Sequence, residues 1–193
     1  MLENLDKYTL VLASNSPRRK ELLAGLDLDF EVRVISGIDE SYPESLQALD
    51  IPLHIARAKA AAYKDSLGGD ELLITADTIV WTSDGVLGKP KDRDEACGML
   101  RMLSGKTHQV ITGVCLLTKE KNVCFSVESE VRFSSLSEEE INYYIDKYRP
   151  YDKAGSYGIQ EWIGYVGVEA IHGSFYNVMG LPVQRLYQEL KQF

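Results

Sequence analysis

The sequence is short of positive charge, of cysteine and of long apolar runs, and each shortage excludes something. Lys and Arg total 21 against 29 Asp and Glu, a net charge of -8 over 193 residues. A chain that holds nucleic acid through phosphates, or rests on anionic lipid, wants the opposite balance. Aromatics are not interleaved with basic residues, as a single-strand binder requires. No nucleic-acid partner and no membrane partner are therefore expected. The three cysteines, Cys97, Cys115 and Cys124, are odd in number, scattered and without a C-x-x-C pair. That argues against a disulfide framework and a thiolate zinc site. They read as buried free thiols in a reducing cytoplasm. The N-terminal run M-L-E-N-L-D-K is charged from residue 3, so no leader is expected. The longest charge-free stretch, 170–184, is broken by Gly173, Gly180 and Pro182, so no membrane span is expected. His54, His108 and His172 show no metal-binding spacing, and no G-x-S-x-G elbow occurs.

What is present is an ordinary globular composition, 45% hydrophobic and 26% charged. A chain of this length buries roughly 70% of its unfolded surface and needs no metal or disulfide to fold. Tyr8 to Ala13 reads as a buried strand. Ser16-Pro17 reads as an N-cap with proline at the first helical position, and the helix stops at Gly25. Phe30 to Ile35 is a second short strand. Pro52 opens a helix with Leu53, Ala56, Ala60, Tyr63 and Leu67 on one face. Leu72 to Thr82 is an apolar strand, followed by the hairpin signal Asp84-Gly85. Asp92 caps a third helix. Thr107 to Thr118 and Val123 to Phe133 are strands, and Ser137 to Glu140 is a capping box. Tyr165 to Ile171 is a late strand, and Pro182 starts a C-terminal helix. This order predicts an α/β, mixed α+β fold: a central mixed sheet with flanking helices, in one domain over residues 1–193.

The candidate chemistry lies at strand ends. Ser104-Gly105-Lys106-Thr107 looks like the end of a phosphate-binding loop, but position 100 is Leu100 where that loop needs glycine. A helix precedes it and a strand follows, the reverse of the required order, so it is a turn. The turn Ala13 to Arg19 is better placed, because a buried strand delivers the chain to a helix N-terminus that favours anions. Arg18 and Arg19 in the first turn oppose the helix dipole unless they face an anionic ligand. A capped surface helix with solvated arginines fits the same residues. Asp77 interrupts an apolar strand, where a buried carboxylate must be compensated unless it lies on the solvent parity. Asp39-Glu40 offers two more carboxylates, as a metal site or a solvated loop would. Lys89 sits in a rigid Gly-Lys-Pro turn, and Lys59 on the second helix is a further cation. Tyr151 to Gln160 is a small-residue loop of a kind that often carries function.

Six segments occur in order: S-N-S-P-R-R, A-D-T, G-K-P, L-S-G-K-T-H-Q-V-I-T-G-V, D-K-A-G-S-Y-G-I-Q and Y-N-V-M-G-L-P. That series resembles the Maf family of nucleoside triphosphate pyrophosphatases, over residues 8 to 190. The resemblance implies an elongated fold like that of the inosine triphosphate pyrophosphatases, with a cleft between two lobes. It implies hydrolysis of a nucleoside triphosphate to the monophosphate and pyrophosphate with a divalent cation, Mg²⁺ or Mn²⁺. Asp77 matches the catalytic aspartate. Arg18, Arg19, Lys59, Lys89 and Glu40 match phosphate- and metal-contacting positions, Glu40 and Asp77 being the metal pair. Thr78 and Gln160 match positions tied to base choice. The A-D-T and G-I-Q forms resemble the branch acting on dTTP and UTP, with modified pyrimidines as related substrates. A homodimer is an expectation from the family alone. One departure stands out: Glu161-Trp162 follow Gln160 where the family often has glycine.

Two functions fit these residues. The first is an enzyme in which Asp77 takes the proton from an attacking water. The second is a nucleotide-binding regulator of division or stress without turnover. An intact Asp77 favours the enzyme, because a pure sensor gains little from a poised base.

Overall fold

In the computed structural model, which describes residues 2–193, the chain forms a seven-stranded mixed sheet flanked by helices. The elements in order are β1 (Thr9–Leu12), α1 (Pro17–Ala24), β2 (Glu31–Val32), α2 (Asp50–Tyr63), β3 (Glu71–Thr82), β4 (Gly85–Leu87) and α3 (Arg93–Leu103). They continue with β5 (Thr107–Leu117), β6 (Asn122–Phe133), α4 (Glu138–Tyr148), α5 (Trp162–Gly167), β7 (Val168–His172), α6 (Phe175–Met179) and α7 (Val183–Leu190). The sheet order is β2-β1-β3-β5-β6-β7, and β4 pairs antiparallel with β3. Strand β1 runs parallel to both β2 and β3, while β6 and β7 are antiparallel.

Helix boundaries follow local capping. The Ser16 hydroxyl accepts the Arg19 amide, Asp92 accepts the Glu95 amide, and Ser137 with Glu140 forms a reciprocal capping box. Helix α2 starts at Asp50, two residues before Pro52, so the proline lies inside the first turn, where its missing N–H has no helical partner to lose. The segment expected as a strand at Tyr165 to Ile171 divides: Trp162–Gly167 is helical and Val168–His172 is the strand. Tyr and Val favour strands, but here Gly164 packs onto backbone: a Cβ there would stand 1.7 Å from the Ile159 carbonyl oxygen. Only Glu31–Val32 of Phe30 to Ile35 pairs as strand. The residues beyond are held by side chains instead. Tyr63 Oη donates to the Arg33 carbonyl and accepts the Ile35 N–H, and Arg33 grips Glu71 at 2.6 and 2.9 Å.

The chain divides into two compact units. One runs to Asp77 and includes Thr112–Val127 and Gly180–Phe193; the other comprises Thr78–Ile111 and Glu128–Met179. The first is built on Val11, Ala56, Ala60, Tyr63, Leu67, Leu73, Cys115 and Leu117. Gly113 is needed here, since a Cβ would meet the Pro52–Leu53 backbone at 2.4 Å. Its absence lets α2 lie directly on β5. In the second unit His108, Phe133 and Tyr157 meet edge to face. The His108 and Tyr157 side chains also share a 2.7 Å hydrogen bond.

The cysteine expectation is corrected for two of the three residues. Cys115 and Cys124 form a disulfide, and Cys97 is free and buried. Cys115 lies on β5 and Cys124 on its sheet neighbour β6, joined by a short turn, so nine positions of sequence bring their Cα atoms to 4.2 Å. Spacing alone does not reveal a cross-strand pair, because it depends on register. Among the described residues no helix is long and apolar enough to cross a membrane.

Candidate active site

The polar centre of the first unit is built by helix-on-sheet register. Thr75 and Asp77 share one face of β3, because alternate residues point the same way. Ala56 and Lys59 share one face of α2, being one turn apart. The Thr75 hydroxyl donates to the Ala56 carbonyl at 2.8 Å, and this bond locks strand to helix. Lys59 is thereby delivered to Asp77, with Nζ 2.9 Å from Oδ1. The same Nζ lies 3.1 Å from Glu40 Oε1. The lysine and aspartate side chains are 14% and 15% exposed. The carboxylate inside the apolar strand is therefore compensated, as its position demands.

Arg19 completes the cluster from α1. Its Nε donates to the Gly180 carbonyl at 2.8 Å and an Nη to the Ala76 carbonyl at 2.9 Å. Burial lowers the pKa of this guanidinium, Asp77 and Glu40 oppose the shift, and Arg18 adds to it. Arg18, Glu40 and Asp77 thus all act on Arg19, and Lys59 pairs with Glu40 and Asp77, within one unit. Two of the Arg19 donors are spent on backbone carbonyls, a bracing role that the sequence does not announce. Asp39 is exposed and accepts the Ser41 amide at 2.9 Å, which holds its pKa below the usual carboxylate range. It caps its own turn, and Glu40 is the carboxylate that reaches Lys59.

The remaining candidates belong to the second unit. Thr78 follows Asp77 on β3 and is half-buried. Lys89 is exposed in the turn after β4 and makes no ion pair among the described residues. That turn is tied down by the Gly155 N–H to Gly88 carbonyl bond, 3.1 Å. Gln160 is half-buried, and its Oε1 is buried without a hydrogen-bond partner. Two residues that the sequence reading did not single out, Lys153 and Tyr144, both engage Glu161, the residue after Gln160. Lys153, 9% exposed, pairs with Asp152 at 2.8 Å and Glu161 at 3.1 Å, and Tyr144 bonds Glu161. A lysine inside a loop of small residues was the available signal.

The donor set around Asp77 is all oxygen, which suits a hard cation. Two carboxylates already converge on a single positive charge at Lys59. Among the described residues no group of three or more His, Cys, Asp or Glu forms a metal cage. Magnesium-type sites use one or two protein carboxylates with other oxygen ligands completing the shell, and the carboxylates of Glu40 and Asp77 are donors of that kind.

A Parabacteroides distasonis protein named dTTP/UTP pyrophosphatase is 74% identical over 193 residues, covering 100% of both chains. A Bacteroides fragilis protein of the same name is 64% identical over 192 residues, again covering 100% of both. The solved structure of a HAM1 protein from Coxiella burnetii matches 96% of this chain and 100% of its own. Its TM-score is 0.50 at 14% identity, a likeness of fold alone. The Maf-like protein family matches residues 9–193, and the chain belongs to that family.

Proposed function

We propose that this protein is a cytoplasmic nucleoside triphosphate pyrophosphatase that cleaves dTTP and UTP, and related modified pyrimidine nucleotides, to the monophosphate and pyrophosphate. The observation that carries the reading is the compensated carboxylate Asp77 on β3, gathered with Lys59, Glu40, Arg18 and Arg19 in a protein that is acidic elsewhere. Glu40 and Asp77 would hold Mg²⁺ or Mn²⁺. When bound, such an ion neutralises phosphate charge and acidifies nearby water. Asp77 takes the proton of the water that attacks the α-phosphorus. Arg18, Arg19, Lys59 and Lys89 hold the triphosphate and stabilise charge on the leaving pyrophosphate. Lys59 has a second task in the free enzyme, pairing with the Asp77 carboxylate inside the apolar strand.

Base choice falls to Gln160, with Thr78 holding the nucleotide in register. Uracil and thymine present an N3–H donor beside carbonyl acceptors, and the amide supplies an acceptor and a donor to match. The unpartnered Gln160 Oε1 supports this, because an acceptor without a bond is available for that N–H. Cytosine lacks the N3–H, and leaving buried groups unpaired rejects an analogue strongly.

The test is pyrophosphate release from dTTP, UTP, CTP and 7-methyl-GTP with Mg²⁺ or Mn²⁺, with and without EDTA. Turnover of dTTP and UTP, lost with EDTA and reduced ~10²–10⁴-fold in Asp77→Asn, is expected. A parent that prefers CTP or the methylated purine overturns the base reading. Full activity in Asp77→Asn overturns its role as base. No turnover of any triphosphate, with binding retained, establishes the regulator instead.

A further inference from the structure

Glu161 and Trp162 follow Gln160, and both side chains reach helix α4. Glu161 accepts a hydrogen bond from the Tyr144 hydroxyl and pairs with Lys153 Nζ at 3.1 Å. The Tyr144 oxygen in turn accepts the Gly158 N–H at 2.9 Å. Burial, then the Glu161 carboxylate, raise the Tyr144 pKa, so its hydroxyl remains a donor. The Trp162 ring meets the Tyr143 ring edge-on, with centroids 4.8 Å apart. The backbone between is closely confined. A Cβ on Gly158 would stand 2.9 Å from the Glu161 carboxyl carbon, and one on Gly164 would collide with the Ile159 carbonyl. The Gln160 Oε1, one residue before Glu161 in the chain, is buried without a hydrogen-bond partner. A buried acceptor without a bond is costly and has no hydrogen bond of its own to orient it, so its placement depends on the segment that carries it.

We propose that the Lys153–Glu161–Tyr144 network, with Trp162 docked on Tyr143, is a positioning clamp that fixes the Gln160 turn and thereby sets discrimination between uracil-type and cytosine bases. The proposal rests on the reading of Gln160 as the base-selecting amide. An amide free to turn presents either its oxygen or its NH₂ group, and so accepts both base types. Only an amide that cannot turn rejects the wrong one. The clamp residues touch no substrate atom in this scheme; they act through the Gln160 backbone.

The experiment measures kcat/KM for UTP and CTP on the parent, Gln160→Ala, Tyr144→Phe, Glu161→Gln and the double variant Lys153→Met/Glu161→Leu. The double variant removes both charges together, so neither is left buried alone. Tyr144→Phe removes one hydroxyl and no charge, and serves if the double variant does not fold. The ratio of the two kcat/KM values is independent of how much enzyme is folded, so a loss of stability alone leaves it unchanged. We expect the UTP-over-CTP ratio to fall at least about tenfold in Tyr144→Phe and in the double variant. It should fall less in Glu161→Gln, which still accepts from Tyr144. If Gln160→Ala loses discrimination while every clamp variant keeps it, the clamp is overturned and the Gln160 reading stands. If the parent does not discriminate, or Gln160→Ala keeps the parent ratio, the Gln160 reading fails and the clamp with it.

Discussion

Replacing Lys59 by methionine isolates what compensates the carboxylate in the apolar strand. Lys59 Nζ sits 2.9 Å from Asp77 and 3.1 Å from Glu40, with little solvent on either the lysine or the aspartate. At that separation and an effective dielectric of about 20, the gross attraction to Asp77 is ~6 kcal/mol. Desolvation of the two charges offsets most of it, so the pair itself adds little net stability. The substitution measures something larger, the cost of leaving Asp77 charged and alone. Breaking a buried pair in this way typically costs about 3–5 kcal/mol. Arg19 still acts on Asp77 and some water reaches it, so the cost falls at or just below that range, about 2–3 kcal/mol. In a chain of this size each kcal/mol lowers Tm by roughly 2–4 °C, which places Lys59→Met about 4–12 °C below the parent. Methionine keeps the aliphatic stem, so lost packing contributes little. The double variant Lys59→Met/Asp77→Asn removes the stranded charge and should be less destabilised than the sum of the single variants by at least about 1 kcal/mol. Thermal and urea unfolding at pH 7 supply both numbers. A Lys59→Met midpoint within a degree of the parent, or a double variant that is simply additive, refutes the reasoning.

Three other outcomes are expected. Burial pushes His108 down to about 4, and its Nδ1 has no hydrogen-bond partner. Between pH ~6.5 and ~4 the unfolded chain therefore binds more protons than the folded one. Stability is full above that window and falls through it by about 3 kcal/mol, a slope that urea titrations should find in the parent and not in His108→Gln. Reducing Cys115–Cys124, nine positions apart, should lower stability by roughly 2–3 kcal/mol on the chain-entropy account. A thermal midpoint unchanged by a reductant contradicts that. Gly164→Ala drives a methyl into the Ile159 carbonyl and should cost at least about 2 kcal/mol, whereas Gly98→Ala, with open space around a helical glycine, should stabilise by up to about 1 kcal/mol. Equal unfolding midpoints for the two glycine variants would count against the close-packing argument.

Elements whose signals are local were legible from residues alone. Ser16, Asp92 and Ser137 cap helices because a side-chain oxygen satisfies a neighbouring amide, and Asp84-Gly85 turns because its backbone can. Asp77 was legible for a related reason, since a carboxylate within Leu72 to Trp81 is costly unless it lies on the strand's solvent face. Its partner was not. Lys59 reaches it only because Thr75 bonds Ala56 and because Gly113 lets α2 approach the sheet, and both are long-range contacts. Arg19 carried its charge in plain view, but the Ala76 and Gly180 carbonyls that orient it come from distant segments. The helical turn at Trp162–Gly167 overrode the strand preference of Tyr165 and Val166, because Gly164 packs on the Ile159 carbonyl. The Cys115–Cys124 link depended on which residues β5 and β6 set opposite one another. Composition and caps act within a few residues and are readable from the chain. Register, close backbone approach and charge pairing arise between segments far apart in sequence, and only the folded arrangement decides them.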